Sequence, residues 1–136
     1  MSIRKDYIER LIEQFVAALA RIVQARREQR HAEAQQLIHD TALSSLGMEY
    51  GALLLADPAS TARLLGDPTR VKVLARLVAE DGENLLAQGD PATAAARFQY
   101  ALALYAEARA AGLQPDADDT ATLSRLLAHL GQDARA

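Results

Sequence analysis

The chain has 136 residues, half of them hydrophobic, a net charge of −3 and no cysteine. That length makes one domain, the missing cysteine excludes a disulfide framework and a thiolate metal site, and acids and bases scattered in similar numbers leave no basic face for nucleic acid. No apolar run approaches the roughly 18 residues that a membrane-spanning helix needs, and MSIRKDYIER at the start enters an amphipathic helix without a signal-peptide core. The expectation is a soluble, cytoplasmic protein. Alanine and leucine dominate, with two Phe, four Tyr and no Trp, so the core is aliphatic and the fold all-α.

The first helix is expected over Ile3 to Arg27. Its apolar positions are Ile3, Tyr7, Ile8, Leu11, Ile12, Phe15, Val16, Leu19, Ile22 and Val23, at the three- and four-residue steps of a helix. Doubled positions such as 7/8, 11/12 and 15/16 make the stripe wide enough for two neighbours. Those neighbours are either other helices of this chain or, in part, a second copy, with Phe15 at the interface. A second helix, His31 to Gly47, turns inward Ala34, Leu37, Ile38, Ala42 and Leu46 and ends at Gly47. The two pair as a hairpin (1–47) across the polar stretch Arg26–Arg30.

Residues 48–67 have a different texture. Two Gly and the pairs Asp57-Pro58 and Asp67-Pro68 break any long helix. Asp before Pro is a good helix start, because Asp caps free amides and Pro tolerates the first turn. Short helices are expected over Met48–Ala56 and Pro58–Leu65, laying Leu53, Leu54, Leu55, Leu64 and Leu65 over the core. The segment is a cover for the hairpins or a lid.

A third long helix spans Pro68 to Gln88 on the stripe Val71, Leu74, Leu77, Val78, Leu85 and Leu86. Gly82 sits in its middle, where it costs about 1 kcal/mol against Ala, and close approach of a partner helix is the expected reason. Gly89-Asp90-Pro91 stops this helix and starts a fourth, Pro91 to Ala111, with Ala94, Phe98, Ala101, Leu102, Tyr105 and Ala108 facing inward. The last helix, Ala117 to Leu130, packs by Leu123, Leu126, Leu127 and Leu130, and GQDARA should fray. In all, about five main helices and one or two short ones form antiparallel hairpins.

Gly82, Leu85, Gly89, Asp90, Ala94, Phe98, Ala101 and Leu102 fall where the tetratricopeptide repeat places its small, large, turn, small, aromatic and small residues. The stretch 68–112 therefore resembles one such hairpin. Asp81 stands where the repeat usually has Leu, and Ala106 where it usually has Pro. Ala34, Ile38 and Thr41 keep the small–large–small spacing of a degenerate hairpin, and 117–130 reads as a capping helix. The whole order is similar to a bacterial family of small all-helical proteins with tetratricopeptide-like folds and no established function. The resemblance implies a surface for a protein or peptide partner, with Arg76, Ala79, Glu83, Leu86 and Ala87 on the concave face of the third helix. Members that grip a C-terminal carboxylate there use Lys and Asn, where this chain has Ala79 and Glu83, so no such clamp is implied.

The chemistry-bearing residues are few. His31 and His39 are two turns apart on one helix, too far for one ion without a further ligand such as Glu33 or Asp40; solvated side chains are the plainer reading. His129 suits the C-terminal end of the last helix. Asp81, beside the apolar stripe, needs a partner or exposure; an ion pair with Arg97, an exposed acid and a catalytic carboxylate are the three readings. Arg26, Arg27 and Arg30 read as a solvated turn. No phosphate loop, nucleophile elbow or zinc motif occurs. The expectation is a non-catalytic interaction module without metal or cofactor, with Arg76, Glu83, Leu86 and Phe15 as candidate partner contacts. A homodimer through the first helix, and a small-ligand pocket under 48–67, are the alternatives.

Overall fold

In the computed structural model, residues 3–135 are described, with side chains over 4–131. Among them are seven helices and no strand: α1 (Ile3–Arg27), α2 (His31–Leu46), α3 (Tyr50–Leu53), α4 (Pro58–Leu65), α5 (Pro68–Ala87), α6 (Pro91–Ala110) and α7 (Ala117–Arg135). The fold class is all-α.

Local chemistry sets the breaks. The carboxylates of Asp57, Asp67 and Asp90 accept from the backbone amides of Ser60, Thr69 and Thr93, and a proline opens each of these three helices. Each cap satisfies an amide that has no partner inside its helix. Glu49 caps α3 in the same way, accepting from Gly51 and Ala52. Gly47 ends α2 at φ 73°, a left-handed turn that a side chain resists.

Ion pairs set the directions of the long helices. Arg4 near the start of α1 meets Asp67 at the start of α5, and Arg26 near the end of α1 meets Glu80 further along α5. α1 and α5 therefore run parallel. Lys72 meets Asp116 and Asp119, while Glu83 meets His129, so α7 also runs parallel to α5. α2 and α6 return antiparallel to α1 and α5, α3 packs on α2, and α4 lies on α5 and α6. α5 is the shared wall. Every residue from Val73 to Gly82 is buried, and its Leu74, Leu77 and Val78 join Ile22, Ile38, Phe98, Leu104, Tyr105 and Leu126 in one core.

The close approach expected at Gly82 is present. A β-carbon there would stand 2.5 Å from Phe98 Cε1, so only glycine lets α6 bring its ring against α5. Other expectations need correction. Phe15 is a core residue at 6% exposure, not an interface residue. Neighbouring helix positions lie about 100° apart, so of each doubled pair on α1 one member turns in and the other out: Leu11 and Phe15 are buried, Ile12 and Val16 exposed. Leu55 and Leu64 are exposed rather than laid on the core, because α3 lasts one turn only and the buried side of α4 is taken by Thr61 and Leu65. Leu86 and Leu127 also face outward. α7 runs on through Gly131 to Arg135, with no proline to break it. The side chain of Ile3 and residue 136 of the expected fraying tail lie outside what is described.

Candidate functional site

Asp81 sits on α5 where the stripe calls for an apolar residue, and at 2% exposure it is buried. Its Oδ2 accepts from Tyr50 Oη at 2.7 Å and from Arg97 Nε at 3.0 Å. The expected Asp81–Arg97 ion pair is formed, and Tyr50 is the member that sequence reasoning missed. α3 delivers it: the Glu49 cap starts a single helical turn whose first residue, Tyr50, points into the core. Burial, and then the neighbouring carboxylate of Asp81, push the Tyr50 phenol well above its ordinary pKa. A neutral donor thus faces a carboxylate that Arg97 balances, an arrangement that satisfies a buried acid.

This network forms the floor of a cleft of about 360 Å³ between α2, α3, α5 and α6. Gln35 and His39 of α2 form one wall, Leu54 and Leu55 beside α3 another, and Leu85 and Arg97 the remainder. The Arg97 side chain is one-third exposed, and among the described residues Nε to Asp81 is its one hydrogen bond, so its terminal N–H groups are unspent. His39 packs edge-on against Tyr50 at 5.1 Å, and its Nδ1 is 3.6 Å from Glu49. Leu55 is 89% exposed at the rim. The cleft combines hydrogen-bond donors with aliphatic surface.

The concave residues of α5 do not form an open face. Arg76 is 6% exposed and holds Glu80, with Nε 3.2 Å from Asp118 of α7. Glu80 is buried and also bound by Arg26 of α1 at 3.2 Å, so Arg26 belongs to a helix junction and not to a solvated turn. Glu83 lies against His129, whose ring stacks on Phe98 with centroids 4.7 Å apart. That contact, rather than a helix end, accounts for His129, because α7 continues past it. Leu86 is 37% exposed. α1 and α7 thus tie themselves to the polar side of α5, and of Arg76, Glu83, Leu86 and Phe15 only Leu86 is left exposed. His31 is not merely solvated, since its Nδ1 pairs with Asn84 Oδ1 at 2.9 Å.

Among the described residues no group of three or more histidine, aspartate or glutamate side chains could hold a metal ion, and no helix is long and apolar enough to cross a membrane. Compared with models of known families, with characterised proteins and with solved structures, the chain matches none.

Proposed function

We propose that this protein is a helical-hairpin interaction module of the tetratricopeptide kind, which binds a segment of another protein without transforming it, and that the binding place is the cleft over Asp81. The observation that carries this reading is an aliphatic rim, with Leu55 89% exposed, above a rigid floor with unspent donors on Arg97. A concave cleft lined by aliphatic side chains with a few oriented polar groups is the usual form of a binding site. The ion-paired face of α5 supports the same choice, because Arg76 is already spent on Glu80 and Asp118.

The test is selection from a displayed library of random peptides, run in parallel on wild-type protein and on Leu55→Asp. Enrichment of a shared motif on the wild type alone is the expected result. Equal recovery on both proteins, or no motif on either, would remove the cleft as a docking place. Self-association through α1 is a second reading, favoured by Ile12 at 43% and Val16 at 59% exposure on one side of the helix. A light-scattering mass that stays monomeric throughout a concentration series would end it, and Val16→Glu, on an exposed side chain, should turn any dimer into a folded monomer.

A further inference from the structure

The floor of the cleft narrows the chemistry of what enters it. Arg97 spends only Nε on Asp81, at 3.0 Å. Its outer edge presents two parallel N–H groups, the fork that matches a carboxylate's two oxygens. Asp81 fixes the plane of that fork and is itself held by Tyr50, so the guanidinium is oriented before any ligand arrives. Gln35 and His39 add polar groups on the α2 wall, and Leu54, Leu55 and Leu85 supply aliphatic surface beside them.

Charge selects further. The positive charge of Arg97 is balanced by Asp81, and Glu49 lies 3.6 Å from His39. A doubly charged phosphate would meet the Asp81 carboxylate at the floor with one guanidinium to offset it. A singly charged carboxylate takes the same two N–H groups at a smaller repulsion. The leucines then favour an acid with an aliphatic tail over a polar one. The cleft of about 360 Å³ is within the range of small-ligand sites.

We propose that this cleft binds an aliphatic monocarboxylate, its carboxylate on the terminal N–H groups of Arg97 and its branched tail against Leu54, Leu55 and Leu85. The proposal rests on the reading above for the location of the site and adds the ligand class. A free short-chain acid and the C-terminal residue of a peptide ending in leucine present the same groups.

The experiment is a heteronuclear NMR titration of the full chain with sodium 4-methylpentanoate, with the neutral 4-methylpentanamide, and with a leucine-terminated peptide as free acid and as amide. Saturable shifts at Gly51, Leu55 and Arg97 are expected for the acid, with a Kd on the order of 1 mM for so small a ligand. The neutral amide should bind about tenfold more weakly, as loss of a charge-assisted bidentate contact requires. Arg97→Lys keeps a cation for Asp81 but loses the fork, and should weaken the acid by about the same factor. Should that variant fail to fold, Leu55→Asp, on an exposed side chain, places a like charge at the rim and should also lower affinity.

Shifts from the free acid and the peptide acid together identify a chain end as a ligand, and shifts from the free acid alone identify a small molecule; both support the proposal. Equal binding of acid and amide forms, or indifference to the variants, would overturn it and leave peptide docking standing. No shifts from any of the ligands would also overturn it, and the library selection would then decide peptide docking separately.

Discussion

Replacing Gly82 by alanine should loosen the protein, although alanine is the better helix former. The exchange gains about 1 kcal/mol of helix propensity. Against that, the new methyl would stand 2.5 Å from Phe98 Cε1 and 2.7 Å from Cδ1, where carbon pairs are comfortable only at about 3.5–4.0 Å. The helices or the ring must retreat by about 1 Å to restore that spacing. The ring has little room, being 2% exposed with His129 stacked on it. Overpacking of this kind costs about 3 kcal/mol at the upper end, so about 2 kcal/mol of net destabilisation remains. For a chain of 136 residues that lowers Tm by about 6 °C. Urea and thermal unfolding followed by helical circular dichroism would measure it. Gly131→Ala is the control: nothing lies within 4 Å of the added carbon, and the same exchange should stabilise by up to about 1 kcal/mol. A Gly82→Ala protein as stable as the wild type would refute the argument that Phe98 demands a glycine.

The polar interior gives further expectations. Glu80→Gln leaves the guanidiniums of Arg26 and Arg76 without their shared carboxylate and should destabilise by about 3 kcal/mol; a loss under about 1 kcal/mol in urea would mean that the junction reorganises at little cost. Tyr50→Phe removes one of the two donors to Asp81 and should cost about 1–2 kcal/mol, visible in the same unfolding curves. Burial raises the phenols of Tyr50, Tyr100 and Tyr105 above their ordinary value. A raised folded pKa leaves stability intact below the unfolded value, about pH 10, and removes it as pH rises through the folded value. Stability should therefore be flat up to about pH 10 and then fall by up to about 1.4 kcal/mol per pH unit for each of the two buried tyrosines, Tyr50 and Tyr105, with the half-buried Tyr100 adding less. The phenolate absorbance of Tyr50 and Tyr105 should grow in together with loss of helical signal; more than two tyrosines' worth of phenolate in a still-folded chain, beyond what exposed Tyr7 and half-buried Tyr100 can supply, would contradict the burial argument.

How much was legible in the sequence differs between the hydrophobic frame and the polar detail. Helix ends were readable because their causes are local: Asp-Pro pairs and glycine carry the cap chemistry in adjacent residues, so Pro58, Pro68 and Pro91 open helices as expected. The Asp81–Arg97 pair was readable because a carboxylate on an apolar stripe must find a cation, and Arg97 lies within the first two turns of the returning helix. The Arg26–Glu80–Arg76 junction was not, since its members are up to 54 residues apart and each looks like an ordinary surface charge. Tyr50 was hidden for the same reason, its partner being 31 residues away. The leucines at 55, 64 and 127 misled because hydrophobicity does not say which of two adjacent apolar residues turns inward. The charged residues of the concave face were read as free, and Arg76 and Glu83 serve neighbouring helices instead, through partners more than thirty residues away.

α5 belongs to no single hairpin. It closes against α6, supports α2 and is tied by ion pairs to α1 and α7. Stacked hairpins that touch only their neighbours can melt from the ends, unit by unit. Here the N-terminal pair α1–α2 has Ile22, Ile38 and Leu46 in the same core as Leu74 and Leu77 of α5, so it exposes its apolar side once α5 unwinds. The chain should lose its amide protection in one concerted opening, and a cut within residues 48–67 would yield two fragments that fold only in each other's presence.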